Sequence, residues 1–459
     1  MKEHAEKAEK FLSDEARASW HDKTVWSSRV NRDRASASVS EWEDLREIAS
    51  RIKEHTLSNL DHYLEEFEKN ALQNNVHVHW ATNGEDHNRI VQQIIESHDA
   101  TKIVKSKSIL TEECGLNPHL EKIGFEVVDT DLGERIIQFE KQRPSHLIAP
   151  AIHLNTSEIS EIFRRELGTE PGNNDPQYLT EVARQHLREK FFNADIAITG
   201  VNFGIADTGS VMVCTNEGNA DMGVHLAKVH IACLSIEKLI PKAEHLGVFL
   251  RLLARSATGQ SITTYSSFYR KPRPDQEMHF VIVDNGRSHH LGLKDFQWAL
   301  KCIRCGACIN TCPVYRRSGG YSYDYTIPGP IGSILAPRVN MESFASMPFA
   351  STLCGSCTDV CPVKIDIHGQ LYKWRQEIAR KGHVSKHKRR AMKLAALIFS
   401  HPVLFRLFGK IGRGLLKSNA HSIVYKLADP WTKSRDLPDD MKGSFRQWYK
   451  KYGQTKDLK

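Results

Sequence analysis

The sequence lacks an apolar segment long enough to cross a bilayer, which takes roughly 20 residues in a helix. Its nearest uncharged apolar run, residues 394–405, is short and is broken at Pro402. The first 20 residues are charged from Lys2 onward and lack the apolar stretch of a secretory signal. We therefore expect a cytoplasmic protein without a membrane-spanning helix.

Nucleotide-binding fingerprints and tandem repeats are also missing. Neither G-x-G-x-x-G nor a P-loop follows any predicted strand, so binding of a nicotinamide or nucleotide phosphate has no motif support. No recognition module for nucleic acid is evident either.

Helical and strand patterns predict an α/β architecture behind an N-terminal helical segment. Ser38 and Glu41 form a capping-box pattern ahead of apolar residues at helical spacing, which predicts a helix that braces the next domain. Between 76 and 288, short apolar runs alternate with helical patterns, which indicates a mostly parallel sheet. The runs are VHVHW, TKIVKSKSIL, GFEVVDTD, SHLIAPAIHL, ADIAITGVNF, SVMVCT, HIACLSIEKLI and MHFVIVDNG.

Seven of the ten cysteines crowd between Cys302 and Cys361, which in a reducing cytosol favours metal binding over disulfides. The segment KCIRCGACINTCP has the spacing C-x2-C-x2-C-x3-C-P of bacterial ferredoxins. In that motif the first three cysteines ligate one iron–sulfur cluster and the fourth ligates another. A second cysteine run must therefore supply the missing ligands.

The second run, STLCGSCTDVCPV, has only three cysteines, because Ser351 stands where a full motif would have a fourth. Crosswise assignment predicts a first [4Fe–4S] cluster on Cys302, Cys305, Cys308 and Cys361, and a second cluster on Cys312, Cys354 and Cys357. The second is either a [3Fe–4S] cluster or a [4Fe–4S] cluster completed by a ligand such as Ser351, by water or by a partner. Structural zinc fits the 4+3 arrangement with two Cys-Pro endings poorly. Cys114, Cys214 and Cys233 are interpreted as ordinary buried thiols.

The positive charge is concentrated near the C-terminus. Between 373 and 417, thirteen lysines and arginines are opposed only by Glu377, and they alternate with Leu, Ile, Phe and Trp. Such a segment is either a solvated helix that covers the cluster domain or an amphipathic surface for anionic lipid, a partner or nucleic acid. We favour peripheral contact with the inner face of the membrane as the hypothesis to test.

The chain resembles the lactate utilization protein B family, the iron–sulfur component of the bacterial L-lactate utilization system. The resemblance is carried by the cysteine region and by KSKSILTEE from Lys105, DLGERIIQ from Asp131, PSHLIAPAIH from Pro144 and GVNFGIADTGSVMVCTNEGNADM from Gly200. It implies an isomerase/CoA-transferase-like LUD domain followed by a ferredoxin-like domain, and the family shares the three-cysteine second motif. It also implies two companion subunits, an A component with cysteine-rich domains and a C component with a LUD domain.

These observations predict four regions. They are an N-terminal helical segment over 1–70, a LUD-type α/β domain over 71–288, an α-helical two-cluster ferredoxin-like domain over 289–385 and a basic helical tail over 386–459.

Two loops at the ends of the predicted strand 210–214 are candidate ligand sites, since α/β folds place ligand groups at strand ends. Their residues are Asp207, Thr208 and Gly209 on one side, and Asn216, Glu217, Gly218 and Asn219 on the other. The alternative is that these residues only form turns. Several histidines lie on or next to predicted strands, and none of them is singled out as catalytic.

The sequence thus predicts an electron-transfer subunit of an L-lactate-oxidising complex rather than a stand-alone enzyme. Two other functions stay open: an iron–sulfur scaffold that docks partners, and a nucleic-acid-binding protein with a structural cluster. We expect no nucleic acid, because the basic residues are confined to the tail.

Overall fold

The computed structural model describes residues 3–417 and 444–453. The chain divides into two compact units, residues 1–383 and residues 384–459.

The first unit contains nineteen described α-helices and ten described strands. The helices are α1 Glu3–Leu12, α2 Glu15–Ala37, α3 Trp42–Ser58, α4 Leu60–Gln73, α5 Gly84–Ser97, α6 Ile109–Cys114, α7 Leu116–Lys122, α8 Leu132–Phe139, α9 Thr156–Leu167, α10 Pro176–Phe192, α11 Asn219–Leu226, α12 Leu246–Ala257, α13 Arg287–Leu291, α14 Ala307–Thr311, α15 Pro313–Ser318, α16 Gly329–Val339, α17 Met341–Phe344, α18 Ser356–Asp359 and α19 Ile367–Arg380. The strands are β1 His77–Ala81, β2 Lys102–Lys105, β3 Glu126–Asp129, β4 Ile196–Gly200, β5 Phe203–Ile205, β6 Ser210–Thr215, β7 Val229–Ser235, β8 Leu239–Ile240, β9 Tyr265–Tyr269 and β10 Glu277–Val283.

The main sheet has the strand order β1-β10-β7-β4-β2-β3, and every described pair in it is parallel. Its central strands are buried on both faces, as expected for a parallel sheet covered by helices. In β4, for example, Ile196 and Ile198 face one apolar cluster while Ala197 faces the other. The predicted α/β class with a mostly parallel sheet is confirmed.

A smaller sheet with the order β8-β5-β6-β9 packs beside the main one. Strands β5 and β6 are antiparallel, as are β6 and β9, whereas β5 and β8 are parallel. Strand β9 is not predictable from its own sequence, because its residues YSSFY have a polar centre and only Tyr269 is buried.

Two further details of the predicted elements are wrong. The run SHLIAPAIHL forms turns instead of a strand, since Pro150 interrupts it and Ser145 Oγ bonds back to the Pro150 carbonyl at 2.9 Å. Ser38 does not open a helix: it is the C-terminal cap of α2, and α3 begins after Glu41 without a side-chain cap. The capping-box pattern fails here because α2 extends up to Ala37 and occupies the position before Ser38.

The N-terminal helices connect the α/β region to the cysteine segment. Helix α2 packs on α14 and α15 of the cysteine segment and on α12 of the α/β region. Helices α3 and α4 pack on strands of the α/β region, with Leu57, Phe67 and Ala71 buried. The N-terminal helices therefore pack on the α/β region as predicted. They also pack on the cysteine segment, which the sequence did not indicate.

The second unit contains α20 Lys386–Ser400, α21 Pro402–Lys417 and α22 Phe445–Tyr452. Helices α20 and α21 meet at a bend of 109°. Among the described residues, no single helix is long and apolar enough to cross a membrane, although this bent pair passes the same test of length and composition together.

Candidate functional site

Four of the motif cysteines face one small apolar cavity in the cysteine segment. Cys302, Cys305, Cys308 and Cys361 all line it, together with four isoleucines and Val363. Burial raises the pKa of the Cys305 thiol, and the neighbouring thiols of Cys302 and Cys361 raise it further. The chain thus brings Cys361 from the second run to the first three cysteines of the first run.

The other three motif cysteines form a second, adjacent group. Burial raises the pKa of Cys357 to about 12, and the thiols of Cys312 and Cys354 add to that effect. Cys312 and Cys357 are buried, while Cys354 is exposed. Ser351 is tied to the backbone, because its Oγ accepts a hydrogen bond from Leu353 N at 3.1 Å.

Backbone N–H groups point at several of these sulfur atoms. Arg304 N lies 3.4 Å from Cys302 Sγ, Tyr315 N lies 3.5 Å from Cys312 Sγ, and Ile365 N lies 3.4 Å from Cys361 Sγ. Such N–H···S bonds stabilise thiolates and help set the potential of iron–sulfur clusters. The turn at the first run places Arg304 at φ +62° and Gly306 at φ +74°.

Arginines of the N-terminal helices reach the cysteine segment. Arg46 Nε and Nη2 donate to the Cys361 carbonyl at 3.0 and 2.9 Å, and Arg32 Nη2 donates to the Val360 carbonyl at 3.2 Å. Burial and, more weakly, Cys302 raise the pKa of Cys361, and Arg46 partly offsets this. These arginines were not predicted from the sequence, although Arg46 lies next to the buried Leu45 on a predicted helix.

The donor set fits iron–sulfur clusters. Buried thiols whose pKa values are raised stay protonated unless a cation stabilises their thiolates, and metal binding does so. One cavity lined by four cysteine sulfurs, three of them on buried residues, with N–H groups directed at the ligands, matches the needs of a four-iron cluster. The three-sulfur group beside it matches a cluster with one position left for another ligand.

A second cavity, of about 220 Å³, lies at the carboxyl edge of the main sheet. Its lining includes residues that follow β2, β4, β7 and β10, such as Lys107, Asn202, Lys238 and Arg287, as well as Cys305 of the cysteine segment. Open α/β folds bind ligands at this edge. The cavity therefore joins the α/β region to the first cysteine group.

The two predicted ligand loops have different positions. Asn216, Glu217 and Asn219 line the cavity, with Gly218 between them at φ +70°. Asn216 Oδ1 also accepts a hydrogen bond from Thr264 N at 3.2 Å, so part of this loop is a structural turn.

The other loop lies at the opposite end of β6 and does not line this cavity. The Asp207 carboxylate accepts hydrogen bonds from Ala243 N at 3.2 and 3.3 Å. Thr208 Oγ1 lies 2.6 Å from Ser210 Oγ, and the Thr208 carbonyl accepts a hydrogen bond from Asn74 Nδ2 at 2.9 Å. Gly209 has φ +57° and lies against the backbone of α4, where an added Cβ would be 2.2 Å from Ala71 N. The structure thus brings only one of the two loops to the cavity.

The polar lining of the cavity includes two lysines and two arginines as well as three acidic residues. Lys238 is half-buried, and the loss of water contacts lowers its pKa to about 8. Arg287 and Arg304 share the buried carboxylate of Glu237, with Arg287 Nε at 2.8 Å and Arg304 Nη2 at 3.2 Å. Glu113 pairs with Arg287 on its other side. A carboxylate ligand would meet several positive charges here.

The KSKSILTEE stretch stabilises the main sheet through one buried ion pair and also supplies residues that line the cavity. Lys105 is fully buried and pairs with Asp129 at 2.7 Å, which holds the end of β2 to the end of β3. Lys107 and Ser108 line the cavity. Gly200 is the last residue of β4, and a Cβ there would be 2.5 Å from Ser108 Cβ, so the cavity wall requires glycine at that position.

Family models match three successive parts of the chain. The LUD domain matches residues 64–288, the 4Fe-4S dicluster domain matches residues 298–365, and the C-terminal domain of lactate utilisation protein B matches residues 375–454. Residues 298–365 thus form an iron–sulfur-binding domain, which confirms that prediction in its general form.

Curated relatives match nearly the whole chain. Lactate utilization protein B of Bacillus cytotoxicus is 42% identical over 434 residues, which cover 92% of this chain and 91% of that protein. Lactate utilization protein B 2 of Bacillus mycoides is 41% identical over 434 residues, and lactate utilization protein B of Bacillus thuringiensis is 41% identical over 432 residues, with the same coverage. Among solved structures, a DUF162 family protein from Deinococcus radiodurans covers 49% of this chain and 98% of its own, at 12% identity and a TM-score of 0.27. With identity above 40% over most of both chains, this chain belongs to the lactate utilization protein B family.

Proposed function

We propose that this protein is the iron–sulfur electron-transfer subunit of a complex that oxidises L-lactate to pyruvate. The observation that carries the proposal is the cavity whose lining includes both cationic residues of the α/β region and Cys305 of the first cysteine group. The names of the relatives add lactate utilization as the physiological context. A molecule bound in the cavity would lie next to a cluster ligand.

In this proposal Cys302, Cys305, Cys308 and Cys361 hold a [4Fe–4S] cluster. Cys312, Cys354 and Cys357 hold the second cluster, with either three irons or a fourth ligand that is not cysteine. When bound, such clusters store and pass single electrons. This ligand assignment is supported by the grouping of the cysteines: four line one cavity, and the other three lie close to one another.

The chain itself surrounds the first cysteine group with positive charge. Arg46 and Arg32 come from the N-terminal helices, and Arg304 lies between two of the cysteines. Cations and N–H groups near sulfur stabilise the more negative, reduced form of a cluster. These residues would therefore raise the reduction potential of the first cluster relative to a site without them.

The cavity suits a small carboxylic acid. Lys107 offers an ammonium group to a carboxylate, and Asn202 and Asn216 offer amide donors. Oxidation of a hydroxy acid to a keto acid releases an electron pair and two protons, so a proton acceptor is needed as well as an electron acceptor. Lys238, with a pKa of about 8, is the cavity residue best able to exchange a proton near neutral pH.

Companion subunits complete the proposal. An A component with cysteine-rich domains and a C component with a LUD domain would exchange electrons or substrate with this chain, whose own LUD domain and cluster domain form one unit. The C-terminal unit would add peripheral contact with the inner membrane face. Its helices expose Phe399, Phe405 and Leu407 beside lysines and arginines, as amphipathic lipid-binding helices do.

Anaerobic reduction kinetics test the proposal. The full chain, purified with its clusters, is mixed with the two companion subunits and L-lactate, and cluster absorbance and electron paramagnetic resonance are followed. We expect rapid reduction with L-lactate and none with D-lactate. Lys238→Met should slow the reduction, whereas Lys242→Met, at an exposed residue beside Glu244, should not.

Each other outcome supports a different function. Assembly with the companions while the clusters stay oxidised would support a scaffold and contradict electron transfer. Retention of DNA at moderate salt, again without reduction, would support the nucleic-acid-binding alternative. The electron paramagnetic resonance spectrum of the oxidised protein also gives the number of irons in the second cluster. A three-iron cluster has a characteristic signal when oxidised, whereas a [4Fe–4S]²⁺ cluster has none.

A further inference from the structure

A group of histidines lies at the amino edge of the main sheet, opposite the cavity beside Cys305. Glu277 and His279 alternate on β10, so both side chains are on one face of that strand. His98 caps the C-terminal end of α5 and reaches the same place. These three residues come from two elements and have no part in the proposed electron transfer.

Their ligand atoms converge. His98 Nε2 is 3.2 Å from Glu277 Oε2, His279 Nε2 is 3.6 Å from the same oxygen, and the three atoms lie within 4.8 Å of one another. Donors on a tetrahedral zinc ion, at about 2.1 Å from the metal, are roughly 3.4 Å apart. Both distances to Glu277 Oε2 are therefore close to those between ligands around one such ion.

His279 is buried with an unsatisfied nitrogen directed into this group. Its side chain is only 7% exposed, and Nε2 has no hydrogen-bond partner among the described residues. Buried polar atoms in folded proteins nearly always have a partner. A ligand at this position would supply one.

Hydrogen bonds at the other ring nitrogens favour the tautomers that bind metal. His98 Nδ1 lies 2.8 Å from the Ile94 carbonyl, so it carries the proton and leaves the Nε2 lone pair free. His279 Nδ1 lies 3.1 Å from His79 Nε2. When His279 Nδ1 donates a hydrogen bond to His79 Nε2, the lone pair on His279 Nε2 is free in the same way. Metal-binding histidines are usually oriented by this kind of second hydrogen bond.

We propose that His98, Glu277 and His279 bind one divalent transition-metal ion of the zinc type. Water completes the coordination, because Glu277 is half exposed and leaves the site open to solvent. The bound ion connects the end of α5 to the start of β10 and stabilises the amino edge of the sheet.

Zinc titration of the full chain tests this site. The protein is purified anaerobically with its full iron content, treated with a mild chelator and titrated with Zn²⁺ by calorimetry, with iron measured before and after. We expect one saturable equivalent of zinc without loss of iron. Glu277→Gln and His98→Asn should each weaken zinc binding at least tenfold and abolish the rise in melting temperature caused by zinc.

His77→Asn is the matched control. His77 stacks on the same His279 ring, with centroids 4.9 Å apart, but lies outside the three ligands. This variant should bind zinc like the unmodified protein. Unchanged zinc affinity in both Glu277→Gln and His98→Asn, or no saturable zinc binding by the iron-loaded protein, would overturn the proposal.

Discussion

Glu237 provides the most quantitative prediction, because it is a fully buried carboxylate between two arginines. Burial alone would raise its pKa, but Arg287 and Arg304 lower it to about 2. An ordinary glutamate has a pKa near 4.5. At about 1.4 kcal/mol per pH unit, the difference corresponds to roughly 3 kcal/mol of stability.

The pH range follows from the direction of the shift. Because the pKa of Glu237 is lower in the folded protein, its stabilisation is complete above the unfolded value near 4.5 and is lost as the pH falls toward 2. A measurement at neutral pH therefore includes the whole effect. Glu237→Gln keeps the shape of the side chain but leaves Arg287 and Arg304 without its charge, and breaking a buried pair in this way costs about 3–5 kcal/mol.

Thermal melting measures the loss of stability in the Glu237→Gln variant. With an unfolding entropy of about 2.1 cal/mol/K per residue over the 383 residues of the first unit, 3 kcal/mol corresponds to a fall of roughly 4 °C. Glu244→Gln is the control, since Glu244 is 71% exposed and lies 3.5 Å from Lys242, and its effect should stay below about 0.5 kcal/mol. Iron content and scan rate must match in all samples. Melting of Glu237→Gln within about 1 °C of Glu244→Gln would refute the reasoning.

Three further outcomes are expected. Gly209→Ala should destabilise the protein by at least about 2 kcal/mol more than Gly115→Ala, because both glycines have positive φ but only Gly209 lies against backbone atoms; equal urea midpoints would contradict this. Cys361→Ser should lower the iron content by roughly half while Cys114→Ser keeps it, so full iron and brown colour in Cys361→Ser would show that the ligand assignment is wrong. The full chain should sediment with anionic vesicles at low salt and be released at high salt, through residues 386–417; absence of binding at low salt would exclude lipid contact.

Regular periodicity made much of the fold predictable. The apolar runs that became β4, β7 and β10 are buried on both faces, and such runs are visible without any knowledge of the neighbouring strands. Strand β9 was missed because its burial comes from packing on β6 and not from its own composition. The exact domain boundaries stay a prediction.

Spacing made the cysteine groups predictable, but not their surroundings. The crosswise arrangement of Cys361 with the first run follows from motif geometry that is local in sequence. Arg46 lies 315 residues from Cys361, and nothing in the local pattern connects the two. The same holds for His98 and His279, which meet only because α5 ends beside β10.

The sequence by itself determined the α/β class, the two cysteine runs and the family, because these depend on periodicity and on spacings of a few residues. Only the tertiary structure decided that Cys305 shares a cavity with Lys238, that Asn216 and not Asp207 lines it, and that Glu277 meets two histidines. The physical reason is that such contacts join residues far apart in the chain, and they depend on how helices and sheets pack once each has buried its apolar face.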